Sequence, residues 1–489
     1  MRHVLAIDQG TTGTTCLVVA ADGRVAGRAY RELPQHFPQP GWVEHDAMEI
    51  LTGVLDAGRE AIAMSGVTPD AIGITNQRET TVVWERATGR PVARAIVWQD
   101  RRTAARCAEL APHAASITAK TGLVVDAYFS GTKVEWLLRE HRLEARAAAG
   151  ELAFGTIDSW LIWKLTNGAV HATDPTNASR TLLYDIDAHA WSRELCDLLH
   201  VPAAMLPEVR PSSGDFGSTS AFGPPIRIMG VAGDQQAALF GQGCWQPGEG
   251  KNTYGTGAFL LLNTGAKRPV AGDGLLVTLA CDAHGRAVYA YEAAIFIAGA
   301  AVQWLRDGLG LVATAGETEA MAAGLASNDG VYFVPALVGL GAPHWEPDAR
   351  GMIVGLTRGT TRAHLARAAL EAMAFGTADV LGVMRERSGT SFERLRVDGG
   401  ATNNGWLMQF QADLLGVSVE RPDLVETTAL GAAGLAGLAA GVWPDGNAFI
   451  SARRFTRFEP GAGRAAAQAA RAGWARAVRA TLAHARDRG

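Results

Sequence analysis

The chain has 489 residues, of which 48% are hydrophobic and 19% are charged, and its formal net charge is −4. This length exceeds what one hydrophobic core supports, so we expect a globular protein of two or three domains. The slightly negative charge excludes the broad basic surface that holds a nucleic-acid backbone.

The cysteines and the start of the chain indicate a reducing compartment. There are five cysteines, an odd number, and none forms a C-x-x-C pair, which argues against a disulfide framework or a zinc site. Asp8 follows a short apolar run, which leaves no room for the apolar region of a signal peptide. The uncharged run from Thr427 to Pro444 is mostly Gly and Ala, so it predicts a closely packed buried helix. We therefore expect a cytoplasmic protein without membrane insertion.

The first half of the chain predicts a compact α/β unit. Three short strands joined by Gly-rich turns are expected at Val4–Asp8, Cys16–Ala20 and Val25–Tyr30. A helix follows, with Asp46 as its N-cap and Glu49 three residues later as the partner of that cap. The apolar run Ala71–Thr75 then predicts another strand, which ends in a polar cluster.

A similar order of elements is predicted in the second half. The expected strands are Thr253–Tyr254, Phe259–Asn263, Leu275–Ala280, Tyr289–Tyr291, Val331–Pro335 and Leu395–Val397, and the expected helices lie near residues 363–386 and 404–415. Two α/β halves imply a cleft between them. We place the domains at residues 1–243 and 244–489.

The turn at residues 8–15, Asp-Gln-Gly-Thr-Thr-Gly-Thr-Thr, has the composition of a phosphate-binding loop. Its glycines let the backbone approach a ligand, and consecutive amides with Thr hydroxyls can converge on a phosphate. Asp8, at the end of the strand, can hold Mg²⁺ directly or through water. A tight hairpin with polar turn residues explains the same pattern, so both interpretations stay open.

Two further turns have the same character, at residues 252–257 and 397–404. Phosphate-binding turns in both halves of one chain are typical of an ATPase of the actin-like type. Other nucleotide motifs fail: Asn252 follows the Gly250-Lys251 pair where a P-loop needs Ser or Thr, and the Gly-rich run 308–313 follows a helical pattern instead of a strand.

Polar clusters at two strand ends suit a small polyol. Residues 76–79, Asn-Gln-Arg-Glu, offer charged donors and acceptors to hydroxyl groups, although a surface ion pair is the commoner explanation of such a cluster by itself. Asp234 follows an apolar strand and suits the general base that an alcohol needs, with a helix cap as the alternative. Trp98, Tyr128 and Phe259 can wall off the carbon chain or belong to the core.

Seven segments carry a resemblance that runs almost from end to end. They are DQGTT (8–12), PGWVEHD (40–46), GITNQRETT (73–81), YFSGTK (128–133), AGDQQAALFG (232–241), KNTYGTG (251–257) and VDGG (397–400). Together they resemble the FGGY family of carbohydrate kinases, and the Arg-Glu pair after Asn-Gln resembles its glycerol-phosphorylating branch.

The resemblance implies two actin-like (ribonuclease H-like) ATPase domains that flank a central cleft, with glycerol and MgATP as substrates and a homo-oligomer (dimer or tetramer) as the assembly. Asp234 is then the catalytic base. The implied glycerol ligands are Arg78, Glu79, Tyr128, Asp234 and Gln235, with Trp98 and Phe259 as the apolar wall. The implied nucleotide ligands are Thr11, Thr12, Gly13, Thr256, Gly299, Gln303, Gly400 and Asn404, and Asp8 and Asp234 face the magnesium ion.

Two positions depart from the family pattern. Thr15 stands where many relatives have Arg, which removes one expected phosphate contact. Some bacterial relatives bind fructose 1,6-bisphosphate at a Gly-rich loop that ends in Arg, whereas residues 222–227 here are shorter and contain two prolines. We expect little inhibition by that sugar phosphate. A kinase for another polyol or sugar, and a non-enzymatic nucleotide-bound sensor on the same fold, are the alternative functions.

Overall fold

The computed structural model describes residues 1–487 of the chain. Two large sheets organise it, one of six strands from the first half and one of seven strands from the second half. Helices pack on both sheets, and the prediction of an α/β fold with two halves is confirmed. We call the parts built on the two sheets the first and the second lobe.

The first sheet combines an antiparallel hairpin with parallel strands. In spatial order its strands are Ser218–Thr219, Ile226–Gly233, Ala71–Asn76, His3–Gln9, Gly13–Ala20 and Val25–Glu32. The strand His3–Gln9 pairs parallel to Ala71–Asn76, which pairs parallel to Ile226–Gly233. These strands are buried on both faces and are accordingly continuous apolar runs. The strands predicted in this half are confirmed.

The helix Ala47–Ser65 covers one face of the first sheet. Asp46 caps it by accepting hydrogen bonds from the backbone amides of Met48 (2.7 Å) and Glu49 (3.3 Å), so the predicted N-cap is confirmed. Gly66, with a φ of 68°, ends the helix in the left-handed conformation that glycine adopts without strain.

The second sheet repeats this plan with more strands. In spatial order they are Leu276–Cys281, Ala287–Ile295, Ala258–Gly265, Glu249–Tyr254, Arg394–Asp398, Ser418–Pro422 and Phe455–Phe458. The strand Glu249–Tyr254 forms a hairpin with Ala258–Gly265 and pairs parallel to Arg394–Asp398 on its other side. The strands predicted for this sheet are confirmed.

Helices and short strand pairs complete both lobes. The other helices of the first half are Ala104–Glu109, Ala114–Thr121, Ser130–Glu140, Glu144–Ala148, Ile157–Leu165, Pro175–Ala178, Arg193–Leu198 and Asp234–Gly241. Those of the second half are Gly299–Asp307, Glu317–Ala323, Arg362–Ser388, Gly405–Leu415, Thr427–Ala439, Gly446–Ser451 and Arg464–Arg486. The short pairs are Glu44–His45 with Ala95–Ile96, Val82–Glu85 with Leu152–Gly155, Ala172–Thr173 with Glu208–Val209, Tyr184–Asp185 with Ala190–Trp191, and Tyr332–Val334 with Met352–Val354.

The helix Thr427–Ala439 lies on the face of the first sheet that the helix Ala47–Ser65 leaves free. Small residues make this contact very close. A side chain at Gly73 would collide with the carbonyl group of Ala432, and a side chain at Gly431 would collide with that of Ala237. The predicted buried helix is confirmed. Within residues 1–487, no helix has both the length and the apolar character that a membrane span requires.

The helix Thr427–Ala439 belongs by sequence to the second half and by packing to the first lobe. The chain therefore crosses between the lobes after Gly241, again before Thr427, and back after Ala439. We retain the division near residue 243 as a proposal for the main change of lobe.

Candidate active site

Parallel strands of the first sheet end side by side, and residues at or just beyond these ends form the site. Asp8 lies opposite Thr75 on the neighbouring strand, and the strand that precedes Asp234 is in register with the strand that precedes Arg78. Because parallel strands end at one edge of a sheet, these side chains converge. The Nε atom of Arg78 lies 3.1 Å from a carboxylate oxygen of Asp234.

Arg78 is buried and its guanidinium group is held on several sides. It donates two hydrogen bonds to the carboxylate of Glu292, at 2.5 and 3.0 Å, and one to the side-chain oxygen of Gln236 at 3.2 Å. Glu292 comes from the strand Ala287–Ile295 of the second lobe. A bidentate pair of this kind fixes the plane of the guanidinium group. The Nε edge is thus directed at Asp234, whose side chain is 31% exposed.

Arg180 extends this pair into a buried network of four charges. It donates a hydrogen bond to Glu79 (2.6 Å) and another to Glu292 (3.0 Å). Burial raises the pKa of Glu79, against the effect of both arginines, whereas Arg180 and Arg78 overcome burial and lower the pKa of Glu292 to about 2. Glu79 has a φ of 61°, a strained conformation for a residue with a side chain, which is typical of functional sites.

Asp8 and Asp234 fit a divalent cation. Burial and then the nearby carboxylate of Asp234 raise the pKa of Asp8 to about 7. A cation relieves such repulsion, and Mg²⁺ commonly takes one or two carboxylates together with phosphate oxygens. Within residues 1–487, no three His, Cys, Asp or Glu side chains are grouped to hold a metal.

The first Gly-Thr turn lies next to this edge. A hydrogen bond from the amide of Gly10 to the carbonyl of Gly13 (2.8 Å) closes it. The indole Nε1 of Trp98 donates to the Thr11 hydroxyl (2.9 Å), so the hydroxyl hydrogen of Thr11 is free for another acceptor. Thr12 is exposed at the tip of the turn. The turn thus offers donors to an anion.

Trp98 and Tyr128 form a pair of half-buried rings near Arg78. Their ring centroids are 5.5 Å apart and their planes are nearly perpendicular. The guanidinium carbon of Arg180 lies 5.7 Å from the Tyr128 ring. Phe259 is half-buried on the strand Ala258–Gly265, and among the described residues no ring contact joins it to the pair. The structure therefore brings two of the three predicted wall residues together.

Lys251 links the second lobe to the acceptor end of the site. Its ammonium group is buried and donates hydrogen bonds to the side chains of Gln235 and, at 2.7 Å, Thr253. Burial lowers the pKa of Lys251, and the carboxylates of Asp398 and Asp234 act in the opposite direction. Because Gln235 follows Asp234 in the chain, this contact ties the helix of Asp234 to the second lobe.

A cavity of about 420 Å³ in the second lobe brings together four predicted nucleotide ligands. Gly299 and Gln303 line it from one helix, and Gly400 and Asn404 line it from the third Gly-rich turn. This volume is in the range of small-molecule pockets. The four residues are therefore placed to contact one ligand.

The second turn leads into the same cavity. The carbonyl of Gly255 accepts a hydrogen bond from the amide of Gly299 (3.0 Å), and the carbonyl of Thr256 accepts one from Ala300 (3.1 Å). A side chain at Gly399, whose φ is 90°, would collide with the backbone of Tyr254. The second and third turns thus lie in contact, at the ends of neighbouring strands.

Comparison with known proteins shows the family of the chain. The pattern described as the FGGY family of carbohydrate kinases, N-terminal domain, matches residues 3–241, and that of the C-terminal domain matches residues 250–440. The chain belongs to the FGGY family of carbohydrate kinases. Among its members, the glycerol kinase of Dechloromonas aromatica is 55% identical over 98% of both chains, and glycerol kinase 2 of Thermotoga maritima is 54% identical over 94% of this chain and 95% of the relative.

Solved structures of FGGY kinases share the fold. The glycerol kinase of Plasmodium falciparum with ADP superposes with a TM-score of 0.94 at 35% identity, over 99% of this chain and 98% of that chain. A xylulose kinase of Brucella ovis superposes with a TM-score of 0.88 at 24% identity, over 99% of both chains. The fold of this FGGY kinase is the two-domain actin-like ATPase fold.

Three charged residues of the site were not predicted: Arg180, Glu292 and Lys251. Glu292 is the single charged residue of the strand Ala287–Ile295, and Lys251 is the single basic residue of the strand Glu249–Tyr254. A charged residue at a buried position of a strand indicates a paired group, because an unpaired buried charge is costly. Arg180 carried no such signal, since it follows a polar run outside the large sheets.

Proposed function

We propose that this chain transfers the γ-phosphoryl group of MgATP to a terminal hydroxyl group of glycerol, giving sn-glycerol 3-phosphate and ADP. The observation that carries the proposal is the buried network of Arg78, Glu79, Arg180 and Glu292 beside the accessible carboxylate of Asp234. A hydroxyl group both donates and accepts hydrogen bonds, so fixed donors and acceptors around a general base suit a short polyol.

In the proposed reaction, a carbinol oxygen of glycerol attacks the γ-phosphorus. The bond between this phosphorus and the β–γ bridging oxygen breaks, and ADP leaves with that oxygen. The carbinol proton passes to a carboxylate oxygen of Asp234. Arg78 orients Asp234 through their 3.1 Å ion pair. Arg78, Glu79, Tyr128 and Gln235 hold the hydroxyl groups, and Trp98 and Phe259 exclude water from the carbon chain.

The nucleotide occupies the region between the turns. Thr11, Thr12 and Gly13 bind the transferring phosphate through amides and hydroxyls, and Thr256 binds from the other lobe. Gly299, Gln303, Gly400 and Asn404 hold the rest of the nucleotide in the cavity of about 420 Å³. Asp8 and Asp234 would hold Mg²⁺ directly or through water, and the ion would neutralise phosphate charge during the transfer.

The alternative within the family is a kinase for another small polyol or sugar. Xylulose kinases share the fold, so the fold alone does not choose the acceptor. Similarity to glycerol kinases over nearly the full length, at about 55% identity, supports glycerol as the acceptor. The non-enzymatic alternative is disfavoured because Asp8, Asp234 and the turn threonines are all present.

A coupled assay for ADP release tests the proposal. We expect rapid, ATP-dependent turnover with glycerol and much lower turnover with erythritol, xylulose and gluconate at equal concentrations. Omission of MgATP should abolish the formation of glycerol 3-phosphate. Preference for another acceptor would assign the alternative substrate, and nucleotide binding without turnover of any acceptor would favour the sensor.

We also propose a cytoplasmic location and a homo-oligomeric assembly. The five cysteines are all free and buried, which suits a reducing compartment. Sedimentation of the purified protein measures the oligomeric state.

A further inference from the structure

Tyr30 lies over the outer side of the first Gly-Thr turn. It belongs to the strand Val25–Glu32, at the edge of the first sheet, and half of its surface (50%) is exposed. Its hydroxyl group donates a hydrogen bond to the carbonyl oxygen of Thr12 at 3.1 Å. The side chain is thus held over the turn although much of it faces solvent.

The carbonyl oxygen of Thr12 accepts two hydrogen bonds. Besides the bond from Tyr30, it accepts one from the amide of Leu33 at 2.9 Å. A carbonyl oxygen has two lone pairs, so the bonds from Tyr30 and Leu33 account for both. In a trans peptide the C=O and N–H groups point in opposite directions, and the N–H of Gly13 therefore points away from Tyr30.

Gly13 allows this approach. A side chain at position 13 would collide with the hydroxyl group of Tyr30 and with the carbonyl of Arg31. Thr15 lies opposite Tyr30 in the strand pairing and is uncharged. A phosphate at the turn thus receives no cation from position 15 and depends on how well the turn amides are oriented.

We infer that Tyr30 is a positioning residue for the phosphate-binding turn, because its hydroxyl group holds the Thr12 carbonyl outward and so directs the Gly13 amide at the phosphate. The inference rests on the proposed role of the first turn in binding MgATP. Tyr30 itself does not touch the substrate.

Replacement of Tyr30 by Phe tests this inference, because Tyr30→Phe keeps the ring over Gly13 and removes only the hydroxyl group. We expect the KM for MgATP, and the Kd for a non-hydrolysable ATP analogue measured by calorimetry, to rise about fivefold, the factor that corresponds to one ordinary hydrogen bond. The KM for glycerol and the Kd for adenosine, which lacks phosphates, should stay unchanged.

Tyr332→Phe is the matched control. Tyr332 donates the same kind of bond, to the carbonyl of Ala470 at 3.1 Å, and lies in the second lobe away from the turns. We expect it to leave all four constants at the wild-type values. The melting temperatures of both variants should be close to each other, because each loses one hydroxyl group.

The inference is overturned if Tyr30→Phe binds the ATP analogue as tightly as the wild type, or if it weakens adenosine and the ATP analogue equally. The binding experiments do not require turnover. If the wild type fails to phosphorylate glycerol, the proposed function fails, while the difference between ATP analogue and adenosine still decides the role of Tyr30.

Discussion

Asp234 is the side chain on which the proposed chemistry depends most directly. It is the first residue of the helix Asp234–Gly241, and its carboxylate is both partly exposed and paired with Arg78. We expect Asp234→Asn to retain binding of an ATP analogue and to lose a factor on the order of 10²–10⁴ in kcat, the usual contribution of a positioned base. Steady-state kinetics with saturating glycerol measure this loss.

Asp215→Asn is the control for this substitution. Asp215 is an exposed carboxylate of the same lobe, paired with Arg227 at 2.9 Å, so its replacement should leave kcat unchanged. Near-wild-type turnover of Asp234→Asn would move the role of base to another group.

Glu292 contributes to stability as well as to the site. Because its pKa is lowered from 4.5 to about 2, its charge stabilises the folded state fully above pH 4.5, and this contribution is lost as the pH falls towards 2. Glu292→Gln removes the carboxylate that Arg78 and Arg180 share and leaves them with Asp234 and Glu79 as their remaining partners. We expect it to lower the free energy of unfolding by about 3–5 kcal/mol at pH 7, with a smaller difference from wild type below pH 4.5. Denaturant titrations across this pH range measure both.

Glu420→Gln separates stability from function. Glu420 is also buried between two arginines, Arg396 (2.9 Å) and Arg457 (3.1 Å), but it lies in the strand Ser418–Pro422. We expect a comparable loss of stability with an unchanged KM for glycerol, whereas Glu292→Gln should raise that KM. Equal glycerol constants for both variants would contradict a role of Glu292 in the site.

The site residues that lie in recognisable turns or at strand ends, such as Asp8, Arg78 and Asp234, could be predicted from the sequence. Arg180 and Glu292 escaped it because their meaning is tertiary. Glu292 meets Arg78 across 214 residues of chain, and no local pattern encodes that pairing. Phe259 was predicted to join Trp98 and Tyr128 but, in the described part of the chain, has no ring contact with them. An aromatic residue in a strand does not indicate which other rings it contacts.

The helix Thr427–Ala439 shows how small residues position a whole element. It packs on the helix Asp234–Gly241 so closely that a side chain at Gly431 would collide with the backbone of Ala237. We expect Gly431→Ala to destabilise the protein by about 1–3 kcal/mol, the usual cost of overpacking. Urea denaturation at constant pH measures the loss.

Gly382→Ala is the matched control, because Gly382 lies exposed inside the helix Arg362–Ser388 and a side chain there has no neighbour within 4 Å. We expect this variant to gain up to about 1 kcal/mol from helix propensity. Similar free energies of unfolding for both variants would show that the helices Thr427–Ala439 and Asp234–Gly241 can move apart without loss of stability.

The regular elements followed from the sequence because their apolar patterns are local. The predicted strands Cys16–Ala20 and Phe259–Asn263 were observed as Gly13–Ala20 and Ala258–Gly265, extended mostly by Gly and Thr residues that pair through their backbone. The position of the helix Thr427–Ala439 on the first lobe did not follow. A helix that is buried on all sides carries no apolar stripe to indicate which sheet it covers.

At the scale of the whole molecule, the single basic residue of the loop at residues 222–227 is already in an ion pair. The ring of Phe222 packs against Gly58, and Arg227 is paired with Asp215 at 2.9 Å. We expect fructose 1,6-bisphosphate, at concentrations equal to that of ATP, to leave glycerol phosphorylation unchanged. A non-hydrolysable ATP analogue, which competes with ATP for the nucleotide site, serves as the positive control for inhibition in the coupled assay. Strong inhibition by the sugar phosphate would contradict this account.

The repeated crossing of the backbone between the lobes has a topological consequence. The helix Thr427–Ala439 comes from the C-terminal half of the chain and covers apolar side chains of the first lobe such as Val4, Ala6 and Phe240. A fragment that ends at residue 243 would expose that apolar surface. The other fragment would contain the helix Thr427–Ala439 without the sheet on which it packs. Each half of the chain therefore depends on the other to cover its apolar surface.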